Sequence, residues 1–311
     1  MKLRARHLAA LILATPAIVV TPIVLSSSAH ADVEAAPLVT TDITAAGRDR
    51  ALSYWTPERM RRTGADSVER PERIGRPWAG RLPAGVGRLF MVVKQGASGP
   101  SADEWCTATA VPSPTSDVVV TAAHCVWPGY TRRDEVIQVS DVVFVPAYAE
   151  GEQPYGVFAA RSYLFPASYQ AESSPDIAMI VLDPAAGRHV AQAAGTQNIA
   201  FSAPPDGHAS ILGYPGSRTA RGQILEWCDV PTAPNGDPNQ WRAVCDLAGG
   251  SSGGPWLTGF QPDTGIGTIY SVTSAGTVDL DEETGDVYTA DLSGPKLDSV
   301  ASDLYEEAGR H

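Results

Sequence analysis

Three short segments carry the side chains that could do chemistry. Val120-Thr-Ala-Ala-His124-Cys125 ends an apolar run on an imidazole beside a cysteine. Pro175-Asp176-Ile-Ala-Met-Ile-Val-Leu182 sets one carboxylate at the mouth of a fully apolar run. Gly249-Gly250-Ser251-Ser252-Gly253-Gly254-Pro255 holds two hydroxyls between glycine pairs. Those glycines permit a tight turn that exposes a hydroxyl and aims backbone N–H groups outward. A serine hydroxyl is a poor nucleophile at neutral pH and needs a base within hydrogen-bond reach, itself oriented by a third group. Imidazole, carboxylate and hydroxyl, in that chain order, are those three parts. The chemistry they would do is attack of serine on an acyl carbon.

The elements that must hold them are short and extended. Strand-like runs lie at 86–93, 106–111, 118–121, 136–145, 155–164, 177–182, 209–212, 222–228, 241–245 and 267–273. Breaks such as Pro112-Ser-Pro114 and Trp127-Pro-Gly129 separate them. Strands at this spacing, without helical patterns between them, predict an all-β body built as barrels or a sandwich. The 29 glycines and 25 prolines also disfavour a helical bundle. Near the end, Leu297, Val300, Ala301 and Leu304 share one helical face, with Ser293 or Asp291 as the expected cap.

The 311 residues carry a net charge of -12, which argues against a nucleic-acid partner or an anionic-lipid surface. Lys2, Arg4 and Arg6 precede an uncharged run from Leu8 to Leu25, and Ala29-His30-Ala31 follows. That is the pattern of a signal peptide over 1–31, cut before Asp32. The expectation is a secreted protein with no membrane attachment after cleavage. Residues 32–85, with few clustered apolar residues and isolated Trp55 and Trp78, read as a propeptide or leader. The catalytic domain is expected over 86–311, its two halves meeting near 190–205. Four cysteines in an exported chain imply disulfides. Of three possible pairings, sequence proximity favours Cys106–Cys125 and Cys228–Cys245. No CxxC or HxxxH spacing supports zinc, and no metal or cofactor is expected.

The three chemical segments together resemble the trypsin/chymotrypsin-like serine proteases. The His motif of that family, TAAHC, stands unchanged at Thr121–Cys125. Its GDSGGP motif appears as Gly250-Ser-Ser-Gly-Gly-Pro255, and its Asp motif as Asp176-Ile-Ala-Met. Val86-Gly-Arg-Leu-Phe, Cys106-Thr-Ala and Gly213-Tyr-Pro-Gly216 look like the bacterial secreted, glutamyl-endopeptidase-like branch. The resemblance covers about 86–310. It implies two six-stranded antiparallel β-barrels with a C-terminal helix. It also implies a monomeric serine endopeptidase acting on protein or peptide substrates. His124 would be the base, Asp176 its orienting carboxylate and Ser252 the nucleophile, with Gly250 and Ser252 N–H groups as oxyanion donors. The residue before the nucleophile, usually Asp in the animal digestive enzymes, is here Ser251. A switch that pairs that residue with a new N-terminus is therefore missing its carboxylate.

Specificity is read from the same resemblance. Asp246, six residues before Ser252, occupies the place where trypsin-like members select Arg or Lys; in the glutamyl branch an Asp near this place does not set that preference. Ser271-Val-Thr-Ser-Ala-Gly276 looks like the substrate-binding strand, with Ser274 to Gly276 on one pocket wall. Glu-specific relatives place a His just before that serine, where this chain has Thr273. The acidic run Asp279, Asp281, Glu282, Glu283 and Asp286 reads as an exposed hairpin turn, and His189 and His208 as surface residues. The rival classes are a non-catalytic binding protein on the same fold and an α/β-hydrolase esterase. The second would need the order Ser, Asp, His around its G-x-S-x-G turn.

Overall fold

The computed structural model describes residues 37–64, 73–172, 174–202, 207–247 and 249–311; the expected signal segment lies outside them. Along the chain come Leu38–Asp42 (β1), Ala45–Tyr54 (α1), Pro57–Arg62 (α2) and Arg76–Pro77 (β2). Then follow Val86–Lys94 (β3), Ser101–Ala110 (β4), Val118–Thr121 (β5), Gln138–Pro146 (β6) and Phe158–Pro166 (β7). Ala167–Glu172 (α3), Ala178–Leu182 (β8), Val190–Ala194 (α4) and Asn198–Ile199 (β9) lead to the second half. That half holds His208–Gly213 (β10), Glu226–Pro234 (β11), Gln240–Ala243 (β12), Pro255–Gln261 (β13) and Ile266–Val272 (β14). Ala275–Leu280 (β15), Val287–Pro295 (β16) and Ser299–Ala308 (α5) complete it.

Strands β3 to β8 close on themselves in the order β7-β6-β3-β4-β5-β8, with β8 returning to β7, as a six-stranded antiparallel barrel. β5 and β8 are buried along their whole length, which is why both read as unbroken apolar runs. The second half is a six-stranded antiparallel core, β16-β12-β11-β10-β13-β14, extended by β15, by β2 on β11 and by the short parallel β9. Its two ends face each other closely. Ser271 Oγ donates to the Pro295 carbonyl at 2.8 Å, and a Cβ on Gly294 would lie 2.3 Å from the Val272 carbonyl oxygen. The expected all-β architecture with a C-terminal helix is present. The cap of α5 differs: Asp298 accepts from Val300 N at 3.0 Å and Ala301 N at 3.3 Å, whereas Asp291 and Ser293 belong to β16.

The segment before Val86 lies against both sheets. β1 pairs with β7 from Ser162 to Pro166, opposite β8, and β2 pairs with β11. Trp55, only 2% exposed, meets Phe90 at 5.1 Å between ring centroids and donates to the Asp141 carbonyl. Met60 is fully buried. Arg88 on β3 is buried as well, among Phe90, Trp105 and Tyr148, and donates to the Thr63 carbonyl at 2.7 Å. Burial pushes its pKa down to about 10. A covering layer needs apolar residues on one face only, so Trp55 and Met60 look isolated in sequence while both are core in space.

This packing generates a prediction. Trp55→Ala is expected to destabilise the protein by about 3–5 kcal/mol, as large-to-small core substitutions do. Urea denaturation of the full chain checks it; a cost near zero would mean the layer is not part of the folding unit.

Candidate active site

β5 ends at Thr121, and the chain then makes one 3-10 turn, Ala123–Cys125, that swings His124 off the barrel. The Cys106–Cys125 disulfide ties that turn to β4. β8 runs antiparallel to β5 with Thr121 opposite Ala178. Asp176, two residues before β8, thereby comes beside the histidine. His124 Nδ1 lies 2.8 Å from Asp176 Oδ2, and the His124 backbone N–H donates to Asp176 Oδ1 at 3.0 Å. Ser274, from the second half, donates its Oγ hydrogen to Asp176 Oδ2 at 2.6 Å.

Asp176 is 7% exposed. Burial pushes its pKa up, but the His124 contacts and the Ser274 hydroxyl outweigh that, and the group is held below the ordinary carboxylate value. An ionised carboxylate is acceptor only, so Nδ1 must carry the proton. That tautomer leaves Nε2 as the basic nitrogen, on a ring whose side chain is 32% exposed.

The serine turn is fixed from the opposite side. Thr107 on β4 donates its hydroxyl to the Gly250 carbonyl at 2.9 Å, and its N–H to the Ser252 carbonyl at 2.8 Å. Gly253 has φ +77°, and a Cβ there would lie 2.1 Å from Thr121 Oγ1 and 2.8 Å from Ala122 N. The turn is therefore pressed against the stretch that leads into His124. Gly253 N donates to the Thr273 carbonyl at 2.7 Å and Thr273 N to the Gly254 carbonyl at 2.9 Å, which joins the turn to the Ser274 segment. Buried Ser251 bonds the Leu247 carbonyl within the same loop at 3.4 Å. Cys228–Cys245 forms the second disulfide, just before that loop.

A cavity of about 230 Å³ lies beside Ser252, with Thr273, Ser274, Ala275 and Gly276 on one wall and Leu247, Thr289 and Leu292 among the rest. Among the described residues, no charged side chain lines it. Asp246, expected as a substrate-binding residue, is not in the lining. Its carboxylate is 3% exposed and accepts from the backbone N–H groups of Arg73, Ile74 at 2.8 Å and Gly75 at 2.6 Å. A carboxylate turned onto three backbone donors is not turned into the cavity. Thr273 does line it, while its hydroxyl accepts from Trp256 Nε1 at 3.0 Å. The sequence reading missed Thr107, whose only signal was its place one residue after Cys106. It also missed Leu247, Thr289 and Leu292, and it placed Ser274 on the pocket wall without its bond to Asp176. His189 and His208 are partly exposed, and His189 Nδ1 lies 2.7 Å from Asp117 Oδ2. Among the described residues the grouping of possible metal-ligand atoms is Cys106, His124 and Cys125, and those two sulfurs are joined to each other.

The Trypsin family matches residues 83–290. The solved structure of the protease Anisep from Arthrobacter nicotinovorans is similar at 24% identity and TM-score 0.63, covering 76% of this chain and all of that one. The thermostable serine protease AL20 from an extremophilic microorganism is similar at 28% identity and TM-score 0.61, covering 73% of this chain and 98% of that one. A Glu endopeptidase shares the fold at 18% identity and TM-score 0.55, with 78% and 100% covered. No curated protein sequence matches. The match spans the closed barrel, most of the second sheet and all three chemical segments: the chain belongs to the trypsin family of serine-type peptidases.

Proposed function

We propose that the protein is a secreted serine endopeptidase with Ser252 as nucleophile, His124 as base and Asp176 as the group that orients it. The single observation that carries this reading is the buried Asp176 carboxylate, bonded to both the ring and the backbone of His124. His124 Nε2 takes the Ser252 proton as the oxygen attacks the scissile carbonyl. The Gly250 and Ser252 N–H groups receive the developing oxyanion, a contact typically worth about 10²–10³ in rate per donor. His124 then returns the proton to the leaving amine, and water hydrolyses the acyl-enzyme by the same steps in reverse. Removal of residues 1–31 on export and disulfide closure fit the cysteine content. No helix of the described residues is long and apolar enough to cross a membrane.

The cavity supports an uncharged P1 residue of moderate size. A basic P1 would need a carboxylate in the lining and Glu would need a cation, and the described residues of the lining offer neither. Thr273, Thr289 and Ser274 with Leu247 and Leu292 make a mixed surface. Cleavage of a peptide library is expected to favour uncharged P1 residues; a dominant Arg, Lys or Glu preference would contradict this.

Ser252→Ala is expected to abolish hydrolysis in a folded protein, while Ser251→Ala retains turnover. Asp176→Asn is expected to lower kcat by roughly 10⁴, through loss of the correct tautomer. Kinetics on a peptide substrate, normalised to folded protein concentration, check both.

The depressed Asp176 pKa has a stability consequence. A carboxyl whose folded pKa lies below its unfolded value adds stability above the unfolded pKa, about 4, and that stability fades as pH falls through the folded value. Unfolding free energies measured from neutral to strongly acidic pH are expected to fall more steeply for wild type than for Asp176→Asn. Parallel curves would contradict it.

A further inference from the structure

We propose that Asp246 is a positioning residue that bolts the backbone of residues 73–75 to the loop carrying the nucleophile, and does not choose the P1 residue. The inference rests on the protease reading above and adds to it a role for the segment before Val86.

The bolt is made of backbone. The Asp246 carboxylate accepts N–H groups from Arg73, Ile74 and Gly75, successive residues of one strap. At 3% exposure, a carboxylate is stable only when hydrogen bonds replace its lost water, and these three donors do so. The fit leaves no slack. A Cβ on Gly75 would lie 3.0 Å from Asp246 Oδ1 and 3.0 Å from Leu247 Cδ2. The strap then continues along the second sheet. Arg76 and Pro77 pair with Trp227 and Glu226, and Trp78 N donates to the Leu225 carbonyl at 2.9 Å. The Trp78 ring meets Trp227 at 5.0 Å and Phe260 at 5.4 Å between centroids.

The other end of the bolt is the reaction centre. Asp246 stands between Cys245, which is bridged to Cys228, and Leu247, whose side chain lines the cavity. The Leu247 carbonyl accepts from Ser251 Oγ, next to the nucleophile. Freeing Asp246 therefore releases one anchor of the loop that must hold Gly250 and Ser252 N–H groups in register. It leaves the cavity lining chemically unchanged. The strap also belongs to the working enzyme, so the functional N-terminus lies at or before Arg73, not at Val86.

The test compares full-length, secreted wild type with Asp246→Asn, Gly75→Ala and the double variant, all normalised by active-site titration. A displacement of about 1 Å at a reacting group can cost on the order of 10²-fold in rate. Asp246→Asn is expected to lower kcat on that order with KM nearly unchanged and the P1 preference intact. Gly75→Ala reaches the same contact from the strap side and should lower kcat similarly, with the double variant no worse than the single ones. N-terminal sequencing of the active wild type should begin no later than Arg73. Selective loss of Arg or Lys cleavage in Asp246→Asn would overturn the proposal. So would a lowered Tm with unchanged kcat in both single variants, or an active form beginning after Arg73. If Asp246→Asn does not fold, Gly75→Ala and the N-terminal sequence decide. Wild-type turnover that survives Ser252→Ala would overturn the protease reading instead.

Discussion

The structure depends on one buried negative charge. Asp176 sits at the start of β8 in the first barrel, and its carboxylate is bonded by the His124 ring, the His124 backbone and the Ser274 hydroxyl of the second half. Removing a carboxylate from water costs several kcal/mol unless donors replace the lost hydration. Those donors come from both halves of the molecule. The requirement to satisfy one anion thus fixes how the strand entering His124 meets the strand leading to Ser274. The same geometry sets the imidazole tautomer. One interaction links the tertiary arrangement to the proton chemistry.

A second set of contacts completes the joint. Thr107 on β4 bonds the carbonyls of Gly250 and Ser252, and its hydroxyl also accepts from Tyr214 N at 3.0 Å. Trp105, two residues earlier, donates to the Tyr214 carbonyl at 2.7 Å. A Cβ on Gly250 would lie 2.2 Å from Trp105 Nε1, so a side chain at that position would push the serine turn off its seat. On its other side Trp105 meets Arg88, which bonds the Thr63 carbonyl. A chain of contacts therefore runs from the layer before Val86 through Arg88 and Trp105 to the turn that carries Ser252.

The three chemical segments were legible in the sequence because each is local. A histidine after an apolar strand, a carboxylate before one and a serine among glycines are each written in a few adjacent residues. The closed barrel was legible for a similar reason, since its β5 and β8 are buried runs that are apolar almost throughout. The charge state of the pocket was not, because Asp246 is answered by N–H groups some 170 residues away, as its bond to Ile74 shows. Any residue offers an N–H, so side-chain identity carries no trace of that contact. β13 and β15 were missed for different reasons. β13 begins at a proline inside the glycine-rich turn, and β15 is exposed along its whole length, so neither shows the alternation that marks a half-buried strand. The layer before Val86 read as a detachable leader because its few core residues, Trp55 and Met60, find their partners on β3 and beyond.

The central claim is that Ser252 is activated through His124 by a carboxylate that holds the ring in one tautomer. The most direct measurement is the rate of covalent labelling by a fluorophosphonate, followed by peptide mapping by mass spectrometry. The account predicts one adduct, on Ser252, forming orders of magnitude more slowly when Asp176 is replaced by Asn. An adduct on Ser251, or a labelling rate indifferent to Asp176, would contradict it.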